Sequence, residues 1–523
     1  LAVSSARIID AADDLSDTVA AAGTNSLVIV DGSAGTFSEG DTTALSTGQA
    51  VLGGGSTLAV VGAETGTQVT FTAPGTRPTL TMTNTTNSGF RITDNTLLAG
   101  LDISGGTNGV DIQSGESATG FTLRDLDVHG AAHSGVDIVR SNGGNVLDCT
   151  FRNNGWYGFR IGMFNGGVIS GNTATGNALD GFHVGTFNGG TISDNTASNN
   201  SGDGYRVNTF NDGTMSDNTA TLNYHGFYVN TFDDGTFSGN TSSNNDYQGF
   251  YVITFNGGTL SDNTATDNDI GFFVSILNSG TVSGNTAGYN GYKGFLVVTF
   301  NDGTLSNNEA NNNVYAGFEV YDFNGGTVSG NTATGNTIDG FHVNTFNSGE
   351  FSDNTATDSF SGFNVFNFNG GTLSGNTATD HGMEGFMLSF LNGGTVSGNT
   401  ASYSGYHGYS GFYVANLNGG TLSNNEASNN PYGGFAVSTL NDGTVNGNTA
   451  TGNGEWSETE PWGTGFQMGG YFGGGGGFSL SNTVTFSLNE ATANTGQGYD
   501  ITGAPASGVG TNTGSGNGSH DSF

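Results

Sequence analysis

The chain has 523 residues, of which 93 are Gly, 5 are Pro and 1 is Cys. Its 45 acidic residues outnumber 9 basic residues and give a net charge of −36, which excludes nucleic-acid binding, because Lys and Arg must neutralise the phosphates. The single Cys149 excludes a disulfide framework and a Cys-based zinc site, and no apolar run approaches the ~20 residues of a membrane span, so no membrane insertion is expected.

Residues 1–80 predict an N-terminal cap followed by irregular coils. Residues 12–22 have the composition of a short helix, and residues 27–30 (L-V-I-V) that of a buried strand. A cap is expected because an open coil edge would pair with another chain. The chain begins at Leu1 rather than Met, which we interpret as the processed terminus of an exported protein, although a trimmed chain would look the same.

Residues 81–452 carry a repeat that resembles D-G-F-x-V-x-T-F-N-G-G-T-x-S-G-N-T-A-T-x-N. Its Gly-aromatic step falls at Gly158, Gly181 and Gly204 and continues at nearly the same spacing up to Gly385. Apolar and polar residues alternate over short stretches such as residues 181–184, which is typical of β-strands. The 3.6-residue period of helical solenoids is absent. Three short strands and three turns per repeat predict an all-β, single-stranded parallel β-solenoid of about 15–17 coils.

A column of asparagines marks one corner of each predicted coil. The residue before each Asn is Gly, Asp or Asn, which are the types that tolerate a left-handed backbone, so we expect φ > 0 at this position in every repeat. The following Asn would point inward and stack its amide on neighbouring coils. The predicted ladder consists of Asn172, Asn195, Asn218, Asn240, Asn263, Asn285, Asn308, Asn331, Asn354, Asn376, Asn399, Asn425 and Asn448.

Two C-terminal segments depart from the repeat. Residues 453–502 contain Trp456, Trp462, Tyr471 and a run of five glycines, and they predict an irregular Gly/aromatic insertion with the last coils. Residues 503–523 are rich in Gly, Ser, Thr and Asn, which is typical of a flexible tail.

The repeat G-F-x-V / G-T-x-S-G-N-T-A with its Asn corner resembles the right-handed parallel β-helix (pectin-lyase-like) superfamily over about residues 80–500. The resemblance implies a right-handed coil. The superfamily includes polysaccharide lyases, hydrolases, C5-epimerases, phage tailspikes and surface adhesins. The paired aspartates and G-H-G motif of polygalacturonases are missing. Residues 157–159 (Y-G-F) match the start of the epimerase element Y-G-F-D-P-H, but residues 160–162 (R-I-G) depart from it.

One candidate site lies on the Gly-aromatic strands, where the residue after the aromatic is predicted to point outward. Four successive coils place Asp137, Arg160, His183 and Arg206 there. Two arginines could hold a uronate carboxylate, and His183 could act as a general acid or base. Opposite charges on neighbouring strands are also ordinary on an exposed sheet, so both interpretations stay open. The negative net charge disfavours a polyuronate substrate.

An apolar stripe is predicted on the following coils. Contiguous outward apolar residues indicate an interaction surface, and aliphatic members favour contact with a second copy of the protein. Glycan stacking and a wrong assignment of the outward face are the alternatives. The stripe consists of Tyr228, Tyr251, Phe273, Leu296, Ile253 and Val298.

Four aspartates are candidate ligands for a calcium ion. Asp194 and Asp217 are predicted one coil apart, and Asp233 and Asp234 form another pair. A divalent cation could bridge such carboxylates, whereas solvated carboxylates are the alternative, because the nonapeptide repeat of calcium-binding β-rolls is absent. No cofactor is required, and Ca²⁺ is the one candidate ion.

Together these features predict an extracellular or cell-surface structural or adhesive β-solenoid that self-assembles into fibres or a surface layer. The first alternative is a polysaccharide-processing lyase, hydrolase or epimerase that uses Asp137, Arg160, His183 and Arg206. The second is a glycan-binding, tailspike-like module.

Overall fold

The structure, a computed structural model, divides the chain into two compact units. The first unit comprises Leu1–Ile253 with Gly257–Thr259, and the second comprises Thr254–Asn256 with Leu260–Phe523. The residues that the structure describes are 5–10, 13–61, 68–113, 115–406, 409–454, 464–468, 484–494, 499–501 and 511–518.

Short parallel strands, stacked coil upon coil, build each unit. One coil of the second unit contains a first strand Ile270–Leu277, a second strand Thr281–Ser283 and a third strand Thr286–Gly288. Each strand pairs in parallel with its counterpart one repeat later, so that Phe272 lies beside Phe295. The predicted parallel β-solenoid is therefore confirmed.

Twenty third strands are present among the described residues, which gives about 20 coils rather than the predicted 15–17. The difference arises at the C-terminal end, where Thr513–Ser515 adds a coil to the predicted tail, and in the early coils. The strands Thr36–Glu39 and Thr79–Met82 lack the T-A-T motif, yet they pair in register through Phe37 and Leu80. Both side chains are buried, so a coil requires an inward apolar residue but not the consensus sequence.

A short helix and a parallel strand pair precede these coils. The helix Leu15–Ala22 begins after Asp14, whose carboxylate accepts a hydrogen bond from the Asp17 amide, so it starts later than the predicted residue 12. Ser5–Ile9 pairs with Ser26–Val30, which pairs in turn with Ala50–Gly53. Stacked strands therefore occur well before residue 81, inside the segment that we predicted to be the cap and irregular coils.

The strands of the first unit share this parallel pairing, apart from the antiparallel hairpin of Thr57–Val61 and Gln68–Thr72. A 3₁₀ turn covers Gly32–Ala34. The remaining strands in chain order are Ser5–Ile9, Ser26–Val30, Thr36–Glu39, Thr43–Ala44, Ala50–Gly53, Thr79–Met82, Phe90–Arg91, Leu97–Ala99, Asp102–Gly105, Val110–Asp111, Ala118–Thr119, Thr122–Arg124, Asp127–His129, Val136–Asn142, Gly144–Leu147, Thr150–Arg152, Phe159–Phe164, Gly167–Ser170, Thr173–Thr175, Phe182–Ser193, Thr196–Ser198, Tyr205–Ser216, Thr219–Thr221, Phe227–Phe232, Thr236–Ser238 and Thr241–Ser243.

The division between the units falls in the strands Gln248–Phe255 and Thr259–Ser261. The strands that follow belong to the second unit. They are Thr264–Thr266, Ile270–Leu277, Thr281–Ser283, Thr286–Gly288, Lys293–Phe300, Thr304–Ser306, Glu309–Asn311, Phe318–Phe323, Thr327–Ser329, Thr332–Thr334, Asp339–Phe346, Glu350–Ser352, Thr355–Thr357, Ser361–Phe368, Thr372–Ser374, Thr377–Thr379, Phe386–Leu391, Thr395–Ser397, Thr400–Ser402, Ser410–Ser423, Glu426–Ser428, Gly433–Asn446, Thr449–Thr451, Thr464–Met468, Val484–Ser487, Glu490–Thr492, Tyr499–Ile501 and Thr513–Ser515.

The predicted C-terminal segments lie partly outside the described residues, including Trp456, Trp462, Tyr471 and the five glycines. The described parts continue the coils. Val484–Ser487 pairs with Gly433–Asn446, and Thr513–Ser515, in the predicted tail, pairs with Glu490–Thr492. No helix among the described residues is long and apolar enough to cross a membrane.

Stacked aromatic rings fill the core of each unit. The rings of Tyr205 and Phe227 are 4.7 Å apart and within 8° of parallel, and those of Phe272 and Phe295 are 4.7 Å apart and within 5°. This separation follows from the strand spacing of about 4.8 Å, which brings identical side chains of successive coils face to face. Burial of these rings supplies much of the hydrophobic stabilisation.

Left-handed corners occur where the sequence predicts them. Every residue that precedes a ladder asparagine has φ between 53° and 69°. Within each unit the asparagines hydrogen bond along the ladder. Asn195, for example, donates from Nδ2 to Asn218 Oδ1 at 2.9 Å and to the carbonyl of Ile169 at 2.9 Å. Each buried amide is thereby satisfied within the protein.

A second buried asparagine ladder follows the third strand of most coils, and the sequence analysis did not identify it. Asn177 Nδ2 donates to Asn200 Oδ1 at 2.9 Å, and the residue before Asn177, Gly176, has φ of 66°. The final T-x-N of the repeat was its signal. The members are Asn154, Asn177, Asn200, Asn223 and Asn245 in the first unit, and Asn268, Asn290, Asn313, Asn336, Asn430, Asn453, Asn494 and Asn517 in the second.

Candidate functional site

The outward column of the first strands lies where the sequence predicts it. Asp137 lies in register with Arg160, Arg160 with His183, and His183 with Arg206. Arg206 is followed in register by Tyr228. The four candidate catalytic residues therefore lie on neighbouring strands of the first unit.

The charges of this column are paired within the protein. Arg160 Nη1 lies 2.6 Å from Asp137 Oδ1, and Arg206 Nη1 lies 3.2 Å from Asp203 Oδ2. His183 Nδ1 lies 2.9 Å from Asp180 Oδ2. Asp180 and Asp203 stand immediately before the Gly step, a column that is largely buried. Each basic side chain of the column therefore has a carboxylate partner, and Asp203 is shared between Arg206 and the buried His225.

These residues line two adjoining depressions that we call the groove. One has a volume of about 390 Å³ and is lined by Asp137, Trp156, Tyr157, Arg160 and Leu179. The other has a volume of about 320 Å³ and is lined by Tyr157, Leu179, Asp180, His183, Arg206 and Asn208. Because both depressions share Tyr157 and Leu179, they form one continuous surface.

Two aromatic side chains give the groove its apolar character. Trp156 is 45% exposed, and its ring stacks on that of His133 at 3.8 Å between centroids and 9° between planes. Tyr157 contacts the ring of His183, with centroids 4.7 Å apart. Burial, followed by the nearby charge of Asp180, raises the pKa of Tyr157, so the phenol is neutral at physiological pH and can donate a hydrogen bond.

A tyrosine cluster continues this surface at the Arg206 end of the groove. The Arg206 guanidinium lies 4.3 Å above the ring centre of Tyr228, which makes an edge contact with Tyr251 at 5.2 Å. Tyr224 and Tyr247, both more than 40% exposed, have ring centres 4.4 Å apart. The tyrosine cluster is defined by Tyr224, Tyr228, Tyr247 and Tyr251.

Sequence reasoning missed Trp156, Tyr224 and Tyr247, because it considered only the residue after the aromatic of each step. These three residues stand two positions before the Gly of the Gly-aromatic step, at the corner that leads into the first strand. The periodic signal was present in the sequence, since the same column is apolar in many coils. Its other large members are Leu179, Tyr292, Tyr315, Ile338, Phe360, Met383, Tyr409 and Tyr432.

The predicted apolar stripe is divided between the two units. Tyr228, Tyr251 and Ile253 are half-buried in the first unit, and Phe273 and Val298 are half-buried in the second. Leu296 is only 6% exposed, so its assignment to an outward surface was wrong. It lies in register with Glu319, which belongs to a buried cluster on the neighbouring coil.

This buried cluster surrounds Lys293, the single lysine of the chain. Lys293 Nζ lies 2.8 Å from Glu319 Oε2, and each side chain is less than 5% exposed. The ammonium also lies 4.5 Å from the ring centre of Tyr292, 5.4 Å from that of Tyr315 and 5.6 Å from that of Tyr321. Burial lowers the pKa of Lys293, but the hydrogen bond to Glu319 and the charges of Glu319 and the nearby tyrosines together outweigh it, so the net shift is upward and the ammonium stays charged.

Two further titratable side chains of the second unit are buried close together in sequence. His381 occupies a position of the second asparagine ladder, and burial lowers its pKa to about 4. Glu384 is 2% exposed, and burial raises its pKa to about 7. Both groups therefore favour their neutral forms in the folded protein.

The predicted calcium residues occupy solvent-facing turns. Asp194 and Asp217 are exposed left-handed corner residues with φ of 57°. Asp234 accepts a hydrogen bond from the Gly235 amide at 2.7 Å, and Asp233 is next to it. Across the described ranges of the chain, no three His, Cys, Asp or Glu side chains are grouped to hold a metal ion. Calcium binding stays a prediction.

Comparison with known proteins identifies a family and a small set of similar folds. A family model described as "Right handed beta helix region" matches residues 80–231, 211–356 and 337–520. No curated protein matches the chain.

Three solved structures are similar to the chain at low sequence identity. The Dettilon tailspike protein (gp208) is 14% identical with a TM-score of 0.38, and the match covers 61% of this chain and 62% of the tailspike, less than two thirds of its length. The A-module of the Azotobacter vinelandii mannuronan C-5 epimerase AlgE4 is 15% identical with a TM-score of 0.32, covering 67% of this chain and 91% of that module. The A-module of the Azotobacter vinelandii mannuronan C-5 epimerase AlgE6 is 15% identical with a TM-score of 0.25, and the match covers 90% of this chain and 93% of that module.

The family model matches most of the chain, and the described coils have the parallel pairing that the family requires. The chain belongs to the right-handed β-helix family.

Proposed function

We propose that the protein is an adhesive β-solenoid that binds a neutral polysaccharide in the groove of its first unit. The observation that carries this proposal is the presence of the exposed Trp156 ring and the half-buried Tyr157 ring among polar side chains whose charges are already paired. Aromatic rings provide flat apolar surface for sugar rings, and the few polar groups beside them fix the orientation of the ligand.

Charge supports a neutral rather than an acidic glycan. Arg160 and Arg206 are held by Asp137 and Asp203, so neither guanidinium is free to bind a uronate carboxylate. The net charge of −36 also repels polyanions at long range. Hydroxyl groups of a neutral sugar can still bond to the outer atoms of these ion pairs.

The dimensions of the groove support a polymer rather than a single sugar. Four successive strands, from Asp137 to Arg206, contribute to it. At the usual strand spacing, three steps span about 14 Å along the coil axis. The tyrosine cluster extends the aromatic surface beyond Arg206.

The proposal retains the adhesive role and the extracellular location expected from the sequence, where such glycans are encountered. Self-assembly into fibres or a layer has weaker support. Self-assembly was inferred from the apolar stripe, in which Leu296 is buried and therefore cannot contact a second copy. The Tyr228 ring of the stripe is also covered on one face by Arg206.

Acid–base catalysis on the bound glycan is a second candidate function. The observation that favours it is the contact of His183 with both Asp180 and Tyr157 inside the groove. Asp180 orients the imidazole through Nδ1, which leaves Nε2 for proton transfer. Incubation with the bound glycan decides this question: new reducing or unsaturated ends that disappear in His183→Ala support catalysis, and an unchanged polymer rejects it.

Native gel electrophoresis of the full chain in gels that contain a polysaccharide tests the proposed function. We expect retardation by at least one neutral polymer among starch, β-glucan, mannan and galactan, and none by alginate or pectate. Trp156→Ala should weaken the binding about ten-fold through lost stacking. Tyr403→Ala is the matched control, because Tyr403 is an exposed aromatic residue of the second unit.

Retardation by no neutral polymer would contradict the proposal. Equal retardation of the wild type and Trp156→Ala would place the binding surface elsewhere. Loss of binding in Tyr403→Ala as well would indicate a non-specific aromatic effect.

A further inference from the structure

We propose that the third-strand face of the second unit holds a separate binding notch for a single pyranose unit, centred on Tyr289 and Glu309. The notch has a volume of about 470 Å³. It is lined by Thr266, Thr286, Gly288, Tyr289, Glu309, Asn311, Asn312, Thr332 and Thr334. It lies outside the groove and does not depend on it.

The notch arises from a missing side chain. Gly288 lies in register between Thr266 and Asn311, in an outward column whose other described members all carry a side chain. Its backbone does not adopt the left-handed conformation, so no conformational demand requires glycine here. A Cβ at this position would meet only the Asn311 carbonyl oxygen at 3.6 Å and Thr266 Cγ2 at 3.9 Å. Both distances are ordinary contacts, so a side chain is sterically possible here and glycine leaves its volume unfilled.

An aromatic ring stands at the edge of this space. Tyr289 has φ of 56° at a corner where Gly, Asn and Asp predominate, and it is 65% exposed. A bulky residue in this conformation carries a backbone cost, and such costs concentrate at functional sites. Because Tyr289 is both largely exposed and part of the lining, its ring is accessible to a ligand in the notch.

A carboxylate and amides complete the lining. Glu309 lies in register with Thr286, at a position that is Thr in most coils, and it is exposed. It forms no ion pair within the described part of the chain. A lone carboxylate accepts hydrogen bonds from two adjacent hydroxyl groups, while Asn311, Asn312 and the threonine hydroxyls can donate or accept.

This combination fits a sugar ring. The Tyr289 ring supplies an apolar platform, and the opposite side supplies hydrogen-bonding groups at the spacing of neighbouring strands. The same Tyr–Glu combination recurs at Tyr403 and Glu426, but there Ser402 stands in place of glycine. Gly288 is thus the feature that distinguishes the notch from the Tyr403 position. The ligand class that fits the notch is a neutral hexopyranose.

Saturation-transfer NMR of the full chain tests the proposal with the methyl glycosides of glucose, galactose, mannose and N-acetylglucosamine. The titrations use the Trp156→Ala/Tyr157→Ala background, so that the groove does not contribute. We expect at least one glycoside to bind, and Gly288→Thr and Tyr289→Ala each to weaken it about ten-fold or more. Ser428→Thr, in the same outward column, is the matched control and should bind normally.

Three outcomes would overturn the proposal: no glycoside binds, binding is unchanged by Gly288→Thr, or tetramethylammonium chloride binds at Tyr289 while the sugars do not. The last outcome would assign the notch to an organic cation. Thermal unfolding of Gly288→Thr is measured in parallel and should change little, because its Cβ makes only ordinary contacts. An unchanged midpoint verifies that lost binding does not reflect lost folding. Since polysaccharide binding at Trp156 is measured separately, failure of one site leaves the other intact.

Discussion

The segments Asp180–His183 in the first unit and Asp339–His342 in the second have the same sequence, D-G-F-H, and the same local geometry. In both, His Nδ1 lies 2.9 Å from Asp Oδ2. Their neighbours differ. His183 lines an open groove beside Tyr157 and Arg206, whereas His342 lies in register with Glu319, which is buried against Lys293.

The difference shows that a motif in one coil builds the His–Asp pair, while the coils on either side decide which side chains surround it. The His342 ring is affected by that setting: burial lowers its pKa, but the hydrogen bond to Asp339 together with the charges of Asp339 and Glu319 outweighs burial, and the net shift is upward. The two histidines themselves are similarly covered, with His183 14% and His342 25% exposed. The contrast lies in the neighbouring ion pairs: Arg160 and Asp137 in the first unit are open to solvent, whereas Lys293 and Glu319 in the second unit are enclosed.

The largest expected effect comes from breaking the enclosed Lys293–Glu319 pair. Lys293→Met leaves a buried, unpaired carboxylate and should lower the free energy of unfolding by about 3–5 kcal/mol. The double variant Lys293→Met/Glu319→Gln should recover much of this loss, because no buried charge remains. Urea denaturation measures both. Equal destabilisation in the single and double variants would show that packing, rather than the charge, stabilises the cluster.

The pH dependence of the free energy of unfolding provides the next test, because it reports whether Glu384 and His381 are buried in the second unit. Glu384 has a pKa of about 7 in the folded protein against an ordinary 4.5, so its contribution to stability rises as the pH falls from 7 to 4.5. His381 has a folded pKa of about 4 against an ordinary 6.5, so its contribution falls as the pH falls from 6.5 to 4. Each shift is worth about 3 kcal/mol, and the two nearly cancel.

Single variants separate these opposing contributions. Glu384→Gln should make the protein lose about 3 kcal/mol of stability on acidification from pH 7 to 4, and His381→Asn should make it gain a similar amount. Asn is the residue of the ladder at this position in other coils, so His381→Asn should fold. Denaturation at pH 4, 5.5 and 7 measures the slopes. Identical slopes in both variants and the wild type would contradict enclosure of these groups.

A smaller effect distinguishes buried from exposed asparagines within the first unit. Asn218 donates to Ile192 O and Asn240 Oδ1, each at 2.9 Å, and Asn218→Ala should cost about 1–3 kcal/mol because buried partners lose their hydrogen bonds. Asn188 makes the analogous bond to Asn165 at 2.7 Å on the surface. Asn188→Ala should change stability by less than about 0.5 kcal/mol. Equal losses of unfolding free energy in Asn218→Ala and Asn188→Ala, measured by urea denaturation, would contradict this distinction.

The open ion pairs of the groove should contribute less to stability than the buried asparagines do. Arg160 and Asp137 are each at least one quarter exposed, and water screens their interaction. Arg160→Met should therefore change the free energy of unfolding by at most about 1 kcal/mol, in contrast to Lys293→Met. A loss of several kcal/mol would show that the groove is as enclosed as the Lys293 cluster.

Periodic features of this fold were predictable from the sequence, because each is repeated in many coils. The left-handed corner before Asn195 and the inward Asn itself follow from residue type alone, since few residues tolerate that conformation. The number of coils was not predictable, because early strands such as Thr36–Glu39 keep the inward apolar residue without the consensus.

The candidate site was predictable only in part. Arg160, His183 and Arg206 were found because the alternation of a strand defines its outward face. Trp156 was missed because it lies at a corner, where alternation does not apply. The burial of Leu296 and the pairing of Arg206 with Asp203 depend on neighbouring coils, which a repeat pattern does not specify.

The most direct test of the central claim compares the two D-G-F-H histidines in one binding experiment with the neutral polysaccharide. If the groove binds the glycan, His183→Ala should weaken binding several-fold, because it removes a side chain that lines the groove. His342→Ala, in the same motif of the second unit, should bind like the wild type. Equal affinity of both variants, or weaker binding only in His342→Ala, would contradict the assignment of the ligand to the first unit.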